Sequence, residues 1–143
     1  MKKSPLNRRT PLRAKSALRP AGSLLVKKAP DYAAKAIELA KKIVRSQAGH
    51  TCEKCRMHRP LQGSHVFSVG AHHDMGAMLE NIIALCNDCH MNWWHRKPAE
   101  ALSWFERAYP ERFERLSIRS QTTEKMDWQE VYNDLRKVDL LAF

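Results

Sequence analysis

No run of apolar residues in this 143-residue chain approaches the roughly eighteen that a membrane-spanning helix requires. The basic N-terminus also lacks the uninterrupted apolar stretch of a secretory signal, so the expected location is the cytoplasm, with no membrane partner. Acidic residues are absent from residues 1–30, which hold nine Lys or Arg, whereas residues 31–143 hold sixteen basic and fifteen acidic residues. The formal net charge of +10 is therefore the property of a tail. Cysteine is scarce, and all four cysteines fall into one pattern.

The tail carries a loose repeat, Ser4-Pro5-Leu6, Thr10-Pro11-Leu12 and Ser16-Ala17-Leu18, each followed closely by Arg or Lys. Such a segment cannot bury enough apolar surface to offset its ordering entropy, so residues 1–30 are expected to be disordered in the free protein. Lys2, Lys3, Arg8, Arg9, Arg13, Lys15 and Arg19 suit a polyanion, because neutralising phosphates releases condensed counterions. A merely solubilising tail is the alternative.

The cysteines read Cys52-x2-Cys55, thirty intervening residues, then Cys86-x2-Cys89 with His90 following at once. Two such pairs can present four thiolates tetrahedrally at about 2.3 Å from one Zn²⁺, and zinc binding supplies folding free energy that a small domain needs. Disulfides are the alternative, but paired CxxC motifs without a signal peptide favour a structural zinc.

Residues 31–143 have the length of one compact domain. Pro30 and Asp31 mark its start, and Tyr32, Ala36, Leu39, Ala40, Ile43 and Val44 recur at helical spacing, predicting an amphipathic helix over 31–47 that Gly49 stops. Leu61 to Phe67 reads as a strand, Ser68 to Ala77 as a loop, and Asn81 to Leu85 as a second, antiparallel strand. A short helix over about Asp88 to His95 should carry His90 and His95. Pro98 opens another helix, with Ala101, Leu102, Phe105 and Tyr109 as its stripe and Pro110 as its end. A brief helix over 111–117 follows. Thr122-Thr123-Glu124 opens the last helix, which shows Trp128, Val131, Tyr132, Leu135 and Val138 on one face. The tryptophans, Trp93 and Trp94 included, are read as packing residues in preference to base-stacking platforms.

All seven histidines lie between residues 50 and 95. A strand with His65, a second strand introduced by Asn81 and a helix with His90 would bring three polar side chains to one point beside the cysteines. His65, Asn81 and His90, framed by the two CxxC pairs, resemble the HNH nucleases, the His-Me finger or ββα-metal family, many of which carry a zinc staple. Leu85-Cys86-Asn87-Asp88-Cys89-His90 is similar to that family's second knuckle. Leu61-Gln62-Gly63-Ser64-His65-Val66 and His95-x2-Pro98-x5-Trp104-Phe105 resemble small phage and prophage members, with phage NinG-type recombination proteins a more distant likeness. The resemblance covers about residues 31–118.

It implies an α+β fold, a small zinc-stapled ββα-metal finger flanked by α-helices, with its core at 50–97 and C-terminal helices at 98–143. It implies phosphodiester hydrolysis, with His65 as general base, Asn81 bracing the loop and orienting His65, and His90 holding a catalytic Mg²⁺ or other divalent cation. Ser64 stands where many members place an Asp or His ligand, and His95 is the residue that can compensate. His72 and His73 are secondary candidates for phosphate or cation contacts; His50 and His58 are read as surface residues. The resemblance further implies a bacterial or phage-infected cell and a DNA substrate with weak sequence preference; protein partners are not legible. Three functions follow: a metal-dependent DNA endonuclease, a non-catalytic zinc-containing nucleic-acid-binding module, and a recombination accessory protein acting on branched DNA.

Overall fold

The computed structural model describes residues 31–141. The basic tail, and with it Lys2, Lys3, Arg8, Arg9, Arg13, Lys15 and Arg19, lies outside the described residues. The remainder is a mixed α+β unit of four α-helices around a two-stranded antiparallel sheet.

Helix α1 (Tyr32–Gln47) begins where the Asp31 carboxylate accepts from the Ala34 N–H at 3.0 Å, satisfying one of the free donors of the first turn. It ends at the Ala48 cap, and the chain reverses through Gly49 at φ +54°. Strand β1 (Leu61–His65) pairs with β2 (Ile82–Cys86) in a register that sets Leu61 against Cys86 and His65 against Ile82. Every residue of β2 is buried because the strand is covered on both faces. Ile83 and Leu85 pack with Met75, Phe105 and Leu116, while Ile82 and Ala84 pack with Ala36, Ala40 and Ile43 of α1 and Leu135 of the last helix.

The first strand is shorter than expected, closing at His65 instead of Phe67. The Val66 N–H still donates to the Asn81 carbonyl at 2.9 Å, and from Phe67 on the Asn81 side chain takes over: Oδ1 accepts from the Phe67 N–H at 2.8 Å and Nδ2 donates to the Phe67 carbonyl at 3.0 Å. Asn81 itself closes a 3₁₀ turn (Leu79–Asn81) and precedes β2, which starts one residue later than anticipated.

A helical segment follows β2 and is π-wound over Cys89–Trp94. Helix α2 (Pro98–Ala108) and helix α3 (Pro110–Arg119) meet at Tyr109. Pro110 therefore both ends one helix and starts the next, since a proline at the first helical position sacrifices no helix hydrogen bond. Helix α3 is correspondingly longer than the brief turn expected at 111–117. Helix α4 (Trp128–Leu141) begins later than the Thr122-Thr123-Glu124 cluster. Its cap is Asp127, whose carboxylate accepts from the N–H groups of Gln129 and Glu130 at 3.0 and 3.1 Å. Residues 122–127 stay non-helical, and the Glu124 N–H instead satisfies the buried Asp74 at 3.0 Å. None of the helices is long and apolar enough to cross a membrane, among the described residues.

Candidate metal centre and histidine cleft

The first cysteine knuckle is a tight reversal: the Cys52 N–H donates to Met57 O at 3.0 Å, and the Arg56 N–H to Cys52 O at 2.9 Å. Glu53 fastens it to the sheet. Its N–H donates to Ala84 O at 3.0 Å and its carboxylate accepts from the Ala84 N–H at 2.7 Å, with Arg112 of α3 at 3.5 Å behind it. The second knuckle leaves the end of β2 directly. The four ligand sulfurs of Cys52, Cys55, Cys86 and Cys89 consequently lie within 4.8 Å of one another, and none is in a disulfide. The Cys55 and Cys86 sulfurs are 3.8 Å apart. That distance is far longer than the 2.05 Å or so of an S–S bond and close to the edge, about 3.8 Å, of a tetrahedron with 2.3 Å metal–sulfur bonds. The cluster can hold a metal ion such as zinc.

Its electrostatics also suit a cation. Burial pushes the Cys89 thiol up, and hydrogen bonds shared with Cys86 and Cys55 reinforce that shift. Burial acts the same way on Cys52, but backbone hydrogen bonds around the knuckle outweigh it and bring that thiol down to about 7. Four crowded thiols cannot all ionise unless a positive charge sits among them.

His65, His90 and His95 line one cleft of about 320 Å³ together with Lys41 and Ser64. The five arrive from three elements. The winding explains the histidine pair: the His95 N–H donates to the His90 carbonyl at 3.1 Å, an i to i+5 bond, so residues five apart stack on one side. Their Nε2 atoms are 2.8 Å apart. Five residues exceed one α-helical turn; the extra residue in the π turn removes the mismatch.

His65 is held at its Nε2, 2.8 Å from the Gly76 carbonyl. A carbonyl only accepts, so Nε2 carries the proton and Nδ1 is the bare, basic nitrogen of the neutral ring. Burial holds the His65 pKa below its usual value, favouring that neutral form. Gly76 can approach because it has no side chain: a Cβ there would meet Ile37 Cδ1 at 2.9 Å and the His73 carbonyl at 3.1 Å. Asn81 is fully buried and adds a third bond, Nδ2 to Met75 O at 3.1 Å, so it ties both ends of the loop that presents Gly76. Asp74 in the same loop is anchored by Arg119 at 2.7 Å and by the Glu124 N–H, the larger of the influences that hold its carboxyl below the usual range.

Ser64 is buried in the cleft wall. His72 packs edge-on against Phe67 and His73 against Trp128, so neither belongs to the cleft lining. His50 and His58 face each other beside the first knuckle with ring centroids 5.6 Å apart. Trp94 is buried and donates from Nε1 to the His65 carbonyl at 3.3 Å, whereas Trp93 lies under the Lys54 ammonium at 4.7 Å.

Two contributors escaped the sequence reading. Gln62 accepts from His90 Nδ1 through its Oε1, and its own amide nitrogen donates to Asn87 at 3.2 Å, fixing which way the amide points. His90 thus carries its proton on Nδ1 and turns a bare Nε2 toward His95; burial, then the charges of His95 and Lys41, disfavour its protonated form. Lys41 of α1, which had no assigned role in the sequence, also lines the cleft. Among the described residues, Cys52, Cys55, Cys86 and Cys89 are the only set of three or more His, Cys, Asp or Glu gathered closely enough to hold a metal; the cleft offers the His90–His95 pair. No protein-family model matches the chain, and neither a curated protein nor a solved structure matches it.

Proposed function

We propose that the chain is a metal-dependent DNA endonuclease of the HNH, or ββα-metal, type, stapled by zinc at Cys52, Cys55, Cys86 and Cys89. The observation that carries this reading is the meeting of His65, His90 and His95 in one cleft, with a bare imidazole nitrogen on His65 and two imidazole Nε2 atoms 2.8 Å apart. His65 Nδ1 takes the proton from the attacking water as its oxygen bonds to phosphorus and the bond to O3′ breaks. A ring kept neutral by burial is available for this near neutral pH. Asn81 holds the loop whose Gly76 carbonyl orients His65.

His90 and His95 are the residues that would hold Mg²⁺ or another divalent cation, with water and substrate oxygens completing its shell; Gln62 fixes the His90 ring as outer partners of metal-bound imidazoles do. Such a cation supplies charge stabilisation for the phosphate oxygens and the departing O3′. The basic segment 1–30 raises affinity for DNA without sequence preference.

One observation favours a second reading, a non-catalytic zinc-containing nucleic-acid-binding module: the cleft contributes two imidazoles as cation ligands and buries Ser64 where a third would stand. Incubation of zinc-loaded protein with supercoiled plasmid in Mg²⁺, in Mn²⁺ and without added divalent cation separates the two. Nicking that requires added cation supports the nuclease; DNA binding with no cleavage in any cation supports the binding module. Cleavage confined to junctions or flaps would redirect the assignment to a recombination accessory protein.

A further inference from the structure

We propose that Lys41 is the phosphate-binding residue of the histidine cleft, gripping a phosphodiester oxygen of the nucleic acid from the α1 side. The proposal deepens the nuclease reading and rests on it for the identity of the anion. Lys41 is contributed by a helix outside the strand–strand–helix unit that carries the histidines, and its position is built into the sheet. A Cβ on Gly63 would lie 2.9 Å from Lys41 Cγ and 3.0 Å from its Cβ, so the lysine stem is seated on the bare backbone of β1, two residues before His65. Any larger residue at 63 would push the stem off the strand.

The ammonium end is steadied by Glu38, one turn upstream, at 2.8 Å. That carboxylate is mostly exposed, so the pair is weak and solvent-screened. An ammonium has three donors, which leaves capacity for a second acceptor while Glu38 keeps its own. The cleft itself is lined by Lys41 and three histidines with no carboxylate, and it carries the Ser64 and Ser68 hydroxyls in addition. This lining suits an anion. Burial is the main cause of the lowered His65 pKa; the Lys41 charge adds to it and the Glu38 charge opposes it.

The test compares the wild type with Lys41→Met, which keeps the stem over Gly63 and removes the charge, and with Lys41→Arg, which restores it. Lys41→Gln serves as a second neutral variant should the methionine perturb folding. Two readouts are taken from the full chain: steady-state plasmid cleavage, and the shift of the His65 imidazole NMR signals on adding inorganic phosphate or dimethyl phosphate without divalent cation. The expected result is a rise of about tenfold in KM with a smaller change in kcat for the neutral variants, recovered by arginine. Phosphate should move the His65 signals in the wild type and leave them in place in the neutral variants.

A wild type that cleaves while the neutral variants keep its KM and kcat would overturn the role of Lys41 and spare the nuclease reading. Phosphate shifts that are absent in the wild type, or equal in the wild type and the neutral variants, would overturn it too. A wild type that cleaves nothing but shows Lys41-dependent phosphate binding would sink the nuclease reading and leave the anion site standing.

Discussion

The cysteine cluster and the histidine cleft share one π-wound segment, yet they are built in opposite ways. The cluster takes its ligands from two short knuckles, one leaving β2 directly and the other strapped to it through Glu53 and Ala84. Each ligand pair is local in sequence, and a single ion can close the geometry. The cleft draws on α1, β1 and the π-wound segment, and His65 and His90 are each held by a residue distant in sequence. His65 answers to Gly76, His90 to Gln62, and the loop between the strands to Asn81, Arg119 and Glu124. A metal cluster can thus be written in a few adjacent residues, whereas the histidine cleft has to be assembled by the fold.

The contrast predicts different failures. Replacing Cys86 by Ser should have the largest effect, because structural zinc is worth about 10–16 kcal/mol in finger peptides and that rivals the entire stability of a small domain. Circular dichroism should show loss of the folded state together with loss of zinc by elemental analysis; a folded Cys86→Ser variant without metal would break the comparison at its first term. His65→Ala should leave zinc content and the melting curve intact while lowering cleavage by roughly 10²–10⁴.

In the wild type the acid limb of kcat/KM should fall below the usual histidine value of 6.5. The sign follows from burial: it disfavours the charged ring, so the basic form persists to lower pH, and activity disappears only as pH drops through the depressed value. An acid limb above 6.5 would place the base elsewhere.

Asn81→Ala should cost about 3 kcal/mol, since it leaves the Phe67 N–H and the Phe67 and Met75 carbonyls without their partner in the interior. Thermal denaturation measures the cost. Asn81→Asp sharpens the point: it keeps an acceptor for Phe67 but sets a carboxylate against two carbonyls, and should be at least as damaging. An unchanged melting temperature in both would remove the loop clamp from the account. The smallest effect belongs to the tail. Deleting residues 1–30 should flatten the salt dependence of DNA binding while the chemical step is retained; an identical salt slope would show that the charges of the folded part dominate.

The same contrast governs what could be read from the residues. Alternating and helical periodicities placed α1, the two antiparallel strands and the C-terminal helices, and the CxxC spacing placed the metal cluster, because each depends on short-range order. Histidine order within the cysteine frame pointed to His65, Asn81 and His90 at one place; His65 and His90 do share the cleft, with His95, whereas Asn81 is buried behind it in the loop. Missing were features set by tertiary demand. The first strand stops at His65 because the Asn81 side chain takes over the hydrogen bonds of Phe67. The last helix starts at Trp128 because the Glu124 N–H is engaged by Asp74, fifty residues away in the chain. Gln62 looks like any outward polar strand residue until His90 is folded against it. Lys41 looks like any helix lysine until Gly63 is seen beneath it.

The measurement that bears most directly on the proposed division between metal cluster and nuclease cleft is supercoiled-plasmid cleavage by wild type and His65→Ala, each carrying one zinc per chain, in Mg²⁺ and in Mn²⁺. The wild type should nick the plasmid, and His65→Ala, with the same zinc content and melting curve, should be slower by at least about a hundredfold. Equal rates for the two proteins, or no cleavage by the zinc-loaded wild type in either cation, would contradict the account.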